Sequence, residues 1–149
     1  MHTKPIVVGV DGTPASDRAL DWALDEAVVR RCPLRVVHAW TFEALSDWTE
    51  TTEQRERERS QELLDQAVGR AAEKHRELPD VVRVSLRGEA ADTLARASEG
   101  AAMLVVASHT DHRIRRLVLG STSMHVVRHA HAPVVVIPVT DRELAETAR

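Results

Sequence analysis

The sequence predicts one α/β domain built on a parallel sheet, and three observations carry that expectation. Short, almost wholly apolar runs (PIVVGV at 5–10, MLVVA at 103–107, PVVVIP at 133–138) have the composition of strands buried on both faces. Between them lie segments whose apolar residues recur every three or four positions, the period of an amphipathic helix. The two kinds of segment alternate down the chain, as they do in sheets wound through crossover helices. A chain of 149 residues fits a single domain, with a core at about 4–139 and a tail at 140–149, and neither a repeat nor a long linker divides it. The expectation is a five-stranded parallel sheet with helices on both faces.

Each element has its own warrant. Pro5 to Val10 is β-branched and closes on Asp11-Gly12-Thr13-Pro14, a turn. A helix is expected from Ala15 to Arg31, with Ala19, Leu20, Ala23, Leu24, Ala27 and Val28 on one face. Thr13 or Ser16 caps it, Asp17 adds negative charge to its first turn, and Cys32-Pro33 ends it. Leu34 to Trp40 is the second strand, and residues 41–52 show no period and are expected to form a loop. From Glu53 to Glu77 a charged helix keeps Leu63, Leu64, Ala67, Val68, Ala71 and Ala72 in register, its Glu and Arg residues forming a solvated face. Val81 to Leu86 is the third strand, Ala90 to Glu99 a small helix stopped by Gly100, and Met103 to Ala107 the fourth strand. Leu119 to His129 is the last helix, Pro133 to Pro138 the fifth strand, and the tail a short exposed helix or a frayed end.

Composition narrows the function. A net charge of −3 lacks the basic face of a nucleic-acid binder. No apolar run approaches the length of a membrane span or a secretory signal. The single cysteine, Cys32, excludes an internal disulfide and suits a reducing compartment. The expectation is a soluble cytoplasmic protein with neither a nucleic-acid nor a membrane partner.

Few residues announce chemistry. Asp11 directly follows a buried strand, where a carboxylate either meets ribose hydroxyls or a metal, or serves the turn. Gly120-Ser121 opens a helix, and unpartnered N–H groups at a helix start, with the helix dipole, attract an anion; it is also an ordinary helix start. His109, His112, His125, His129 and His131 raise the question of a metal, but no Cys or Glu completes a familiar ligand spacing, so none is expected. Arg113, Arg115 and Arg116 are candidates for phosphate contacts or for loop solvation. There is no Ser-His-Asp or Cys-His order and no evident general base, so no catalytic residue is assigned.

Taken together, IVVGVDGTPASDRALDWAL, VVHAW and LVVASH…LVLGSTSMHVVRHAHAPVVVIP resemble the universal stress protein family, over about Lys4 to Val139. The resemblance implies a Rossmann-like, five-stranded parallel sheet of the adenine-nucleotide-binding kind, a homodimer formed through the last strand, Pro133 to Pro138, and a role in stress survival. It implies ATP or AMP binding, with Mg2+ accompanying ATP, rather than fast catalysis. By position, Asp11 matches the family's aspartate near adenosine and ribose, Ala39 the residue whose backbone meets adenine, and Gly120 and Ser121 the Gly-Ser that holds phosphates. Ala107 and Thr110 stand where the family's nucleotide loop has glycines, although the spacing on to Gly120 is intact. Glycine serves where the backbone needs positive φ or close approach to a ligand. The departure therefore raises an alternative: a dimeric interaction module that has lost nucleotide binding.

Overall fold

The structure, a computed structural model, describes residues 3–43, 52–108 and 119–138. Among them strand and helix alternate: β1 (Ile6–Gly9), α1 (Pro14–Arg30), β2 (Leu34–Trp40), α2 (Glu53–Lys74), β3 (Val81–Arg87), α3 (Ala90–Ala97), β4 (Met103–Ala107), α4 (Ser121–His129) and β5 (Val134–Ile137). The strands form one five-stranded sheet in the order β3-β2-β1-β4-β5, and every pairing is parallel. β1 is central, with Ile6 in register with both Leu34 and Met103.

Side chains alternate across a strand, so an apolar run supplies two cores at once. On one face Ile6, Val8, Leu34, Val36, Met103 and Val105 meet α1 (Leu20, Leu24) and α2 (Leu64, Val68). On the other, Val7, Val37, Leu104 and Val106 meet Leu94 of α3 and Val126 of α4. This division explains why PIVVGV and MLVVA show no polar alternation: both sides of each strand are covered.

Local chemistry sets the helix ends. Thr13 caps α1, its hydroxyl accepting from the Ser16 N–H at 3.2 Å, and Pro14 occupies the first turn, where no N–H is needed. Arg31 adopts φ 54°, ψ 46°, and its N–H reaches back toward Ala27 O and Val28 O. α2 stops at Lys74, three residues short of the expected Glu77, and the chain proceeds through Leu78-Pro79 to β3. α3 ends at Ala97, two residues before the expected Glu99, and Gly100 takes the left-handed turn (φ 76°). α4 begins at Ser121 instead of Leu119. The tail, expected as a short helix or a frayed end, lies outside the described residues from 139 onward.

The charged face of α2 carries Arg57–Glu53 (3.6 Å) and Arg59–Glu56 (2.8 Å), exposed pairs of the kind worth only a few tenths of a kcal/mol. Other polar contacts join α2 to α1, among them Lys74 Nζ to Asp21 Oδ2 at 3.6 Å. Arg70 grips Asp17 through Nε and Nη2, both at 3.1 Å. His75, just past α2, lies between Asp21 and Asp25, each at 3.1 Å.

Candidate functional site

The sheet winds outward in both directions from β1, so its switch point lies between β1 and β4. In such sheets a crevice opens at that point, beyond the carboxyl ends of the strands. A cavity of about 110 Å³ is found there, lined among others by Gly9, Asp11, His38, Ala39, Ala107 and Thr122. Its enclosed part is small beside ligand pockets of about 300–1,000 Å³, so it has room for a ring-sized group with the remainder of a ligand outside.

Asp11 is held at the rim. The Val10 N–H donates to Val37 O at 2.9 Å, extending the β1–β2 ladder to the residue before it. Its own N–H donates to Ser16 Oγ at 3.2 Å. The carboxylate accepts from the Thr13 N–H at 3.0 Å and the Thr13 hydroxyl at 2.6 Å, closing an Asx turn that Gly12 permits at φ 83°. Asp11 is therefore a turn residue, and it also faces the cavity.

Ala39 contributes backbone. In a parallel pair, N–H and C=O groups of alternate residues point to the same side. Val37 O accepts from Val10 on the β1 side, so Ala39, two residues on, directs its N–H and C=O that way too. The β1–β2 register stops at Gly9↔Val37, so these groups emerge past the end of β1 into the cavity.

Ala107 closes β4 in ordinary extended geometry, in register with Ile137. Among the described residues Arg31 is the one non-glycine with positive φ, so the backbone at 107 does not call for the left-handed region that favours glycine. Alanine adopts this extended conformation without strain. The Ala107 carbonyl also accepts from the buried Ser123 hydroxyl at 3.1 Å, pinning the first turn of α4 to the end of β4.

Gly120 is the N-cap of α4 (φ −63°, ψ 168°), a conformation open to any residue, and it makes no side-chain cap bond. Ser121 is exposed. Neither lines the enclosed cavity; Thr122, one residue further on, does. Thr110, with His109, His112, Arg113, Arg115 and Arg116, lies outside the described residues.

His38 is the residue that sequence reasoning passed over. Its Nδ1 lies 2.7 Å from Ser60 Oγ of α2, Ser60 Oγ lies 2.6 Å from Ser85 Oγ of β3, and the Trp40 indole N–H donates to Ser85 Oγ at 2.9 Å. Burial holds the His38 pKa below the ordinary 6.5, against the pull of the Asp11 carboxylate. A signal was present in the sequence: in LRVVHAW, His38 shares its strand face with Leu34 and Val36, and a polar residue on an apolar stripe calls for a partner.

Two of the other described histidines lie together on α4. His125 Nε2 lies 2.7 Å from Asp92 Oδ1, and the His125 and His129 rings sit 4.3 Å apart. Among the described residues no group of three or more His, Cys, Asp or Glu is arranged to hold a metal. A larger depression, about 630 Å³ and lined by Thr3, Cys32, Pro33 and Asp80, opens at the amino ends of the strands, away from the switch point. Among the described residues no helix is long and apolar enough to cross a membrane.

With the geometry established, comparison with known proteins decides the family. The model of the universal stress protein family matches residues 2–138. The chain belongs to the universal stress protein family. A universal stress protein of Mycobacterium bovis is 33% identical over 92% of this chain and 49% of its own length. One of Mycobacterium tuberculosis is 33% identical over 90% of this chain and 48% of its own. The chain thus spans about half the length of these curated relatives. Among solved structures, the universal stress protein of Archaeoglobus fulgidus in complex with dAMP superposes with a TM-score of 0.67, at 27% identity over 92% of this chain and 99% of that one. A universal stress protein in complex with cAMP superposes at 0.69 over 94% of this chain and all of that one; at 22% identity it is a likeness of fold.

Proposed function

We propose that this universal stress protein binds an adenine nucleotide, ATP (with Mg2+) or AMP, at the β1–β4 crevice, and acts as a cytoplasmic homodimer in stress signalling or survival. The observation that carries the reading is the convergence of the Asp11 carboxylate and the outward N–H and C=O of Ala39 on one ring-sized cavity. A paired carbonyl acceptor and amide donor complement the amino group and adjacent ring nitrogen of adenine. The dAMP complex of the Archaeoglobus fulgidus relative supports the ligand class. The phosphates would extend toward the start of α4, where the N–H groups of its first turn have no partner within the helix.

Dimerisation is read from β5. It is a sheet edge, and Leu104 N–H donates to Pro133 O while Ser108 N–H donates to Ile137 O. The N–H and C=O groups of Val134 and Val136 therefore face away from β4, on an apolar strand suited to pairing with a second copy.

The reading is of a binding protein, with any ATP hydrolysis slow and incidental. Calorimetric titration with ATP and Mg2+, and with AMP, tests it: saturable binding at or below millimolar nucleotide is expected, and no heat at millimolar concentration overturns it. The alternative, an interaction module without nucleotide, is favoured by Thr110 in place of a family glycine. Nucleotide released from the purified protein on denaturation would rule it out.

A further inference from the structure

Four side chains, one of them the cavity-lining His38, form one hydrogen-bonded chain with a fixed donor, the Trp40 indole, at its far end. The Trp40 indole N–H is a donor only, so Ser85 must accept from it. Each serine hydroxyl has a single proton. If Ser85 donates to Ser60 and Ser60 donates to His38 Nδ1, both hydroxyls donate once and accept once. In the reverse direction Ser85 would accept from both Trp40 and Ser60, and its own proton would be left to solvent at a half-buried position. The forward direction satisfies both hydroxyls within the protein and is favoured on that ground. Nδ1 then accepts, and the ring carries its proton on Nε2. With Nδ1 occupied by Ser60, Nε2–H is the polar ring atom left to meet a ligand in the cavity that His38 lines.

We propose that His38, set as its Nε2–H tautomer by the Trp40–Ser85–Ser60 chain, is a ligand-contacting residue of this site, donating a hydrogen bond to an acceptor atom of the bound nucleoside. The proposal rests on the nucleotide-binding reading and adds to it a side-chain donor beside the Ala39 backbone. Ser60 and Ser85 are positioning residues: they hold the ring and its tautomer from α2 and β3 and do not touch the ligand. The arrangement favours ligands that present an acceptor, a purine ring nitrogen or a sugar oxygen, to this wall.

Two variants separate contact from support. Gln places an amide N–H₂ near the position of Nε2, whereas Asn can serve Ser60 but does not reach the ligand. His38→Gln is expected to retain affinity within about threefold, and His38→Asn to lose roughly tenfold, the usual worth of one hydrogen bond. Titration with 7-deaza-ATP, 3-deaza-ATP and 2′-deoxy-ATP locates the acceptor: the analogue lacking it binds wild type about tenfold more weakly and His38→Asn no more weakly than ATP does. Equal nucleotide affinity in wild type and His38→Asn, with both variants folded by circular dichroism, overturns the contact. The tautomer is read independently in the ligand-free protein by ¹⁵N NMR of the imidazole: an Nε2-protonated ring supports the chain, and an Nδ1-protonated ring overturns it. A wild type that binds no nucleotide overturns the functional reading, and the contact with it, while the imidazole spectrum still decides the direction of the chain.

Discussion

At the scale of single residues, the cavity depends on what is missing from Gly9 as much as on what its other walls present. A Cβ at Gly9 would come within 2.8 Å of Leu94 Cδ1 and 2.9 Å of Cδ2, closer than carbon atoms approach. The Leu94 branch is the end of a side chain that lines the cavity, so it has somewhere to go. Gly9→Ala should therefore push Leu94 into the ligand space. Overpacking of this kind costs about 1–3 kcal/mol, so a modest fall in melting temperature should accompany a larger loss of nucleotide affinity. Unchanged affinity would show that the ligand does not use this wall. His38 supplies a pH signature. Its folded pKa lies below the ordinary 6.5, so as pH falls through that value the unfolded chain takes up a proton that the folded chain resists. Stability present above pH 6.5 is accordingly lost as pH falls toward the folded value. Between about pH 7.5 and about pH 5.5 wild type should lose more thermal stability than His38→Gln, and an equal or greater loss in the variant would contradict the sign.

Elements are set by their ends and by the faces they bury. α1 begins at Thr13, whose hydroxyl both caps the helix through Ser16 N–H and donates to Asp11. Thr13→Ala removes the cap and one of the two bonds closing the Asp11 turn. Loss of a threonine cap costs about 1 kcal/mol, and chemical denaturation should show a destabilisation of that size. Because the turn also orients Asp11, the same variant should bind nucleotide less well, whereas a cap acting on the helix alone would leave affinity intact. Helix ends were also where sequence reasoning slipped by a few residues. Apolar periodicity marks where a helix is useful to the core, but its last turn is decided by which carbonyls find partners, and that depends on where the chain must go next. At α2 it must reach β3 through Leu78-Pro79. The break comes at His75, which turns extended (φ −112°, ψ 131°) and sets its ring between Asp21 and Asp25 of α1.

For the molecule as a whole, the unanswered edge is β5. With the N–H and C=O groups of Val134 and Val136 turned away from β4, Val136→Pro removes an outward donor and leaves the inward bonds, carried by Pro133 and Ile137, in place. Light scattering should show a dimer for wild type at micromolar concentration and a folded monomer for the variant; a dimeric variant would exclude pairing through this strand. The sequence by itself determined the alternation of strands and helices, the two-sided burial of the central strands and the family, because those rest on apolar composition and on motifs read along the chain. It also brought out Asp11, Ala39, Gly120 and Ser121, each at a strand or helix end. Only the tertiary structure decided that Ala107 has an extended backbone with no positive φ, since that turns on a backbone angle. It alone showed that Thr122 lines the cavity while Gly120 and Ser121 do not. It alone joined His38 to Ser60, 22 positions away, and Ser60 to Ser85, 25 further on. The physical reason is that a periodic pattern records which face is apolar, whereas a hydrogen bond between distant residues exists only once the sheet register and helix packing have brought its two atoms within 3 Å.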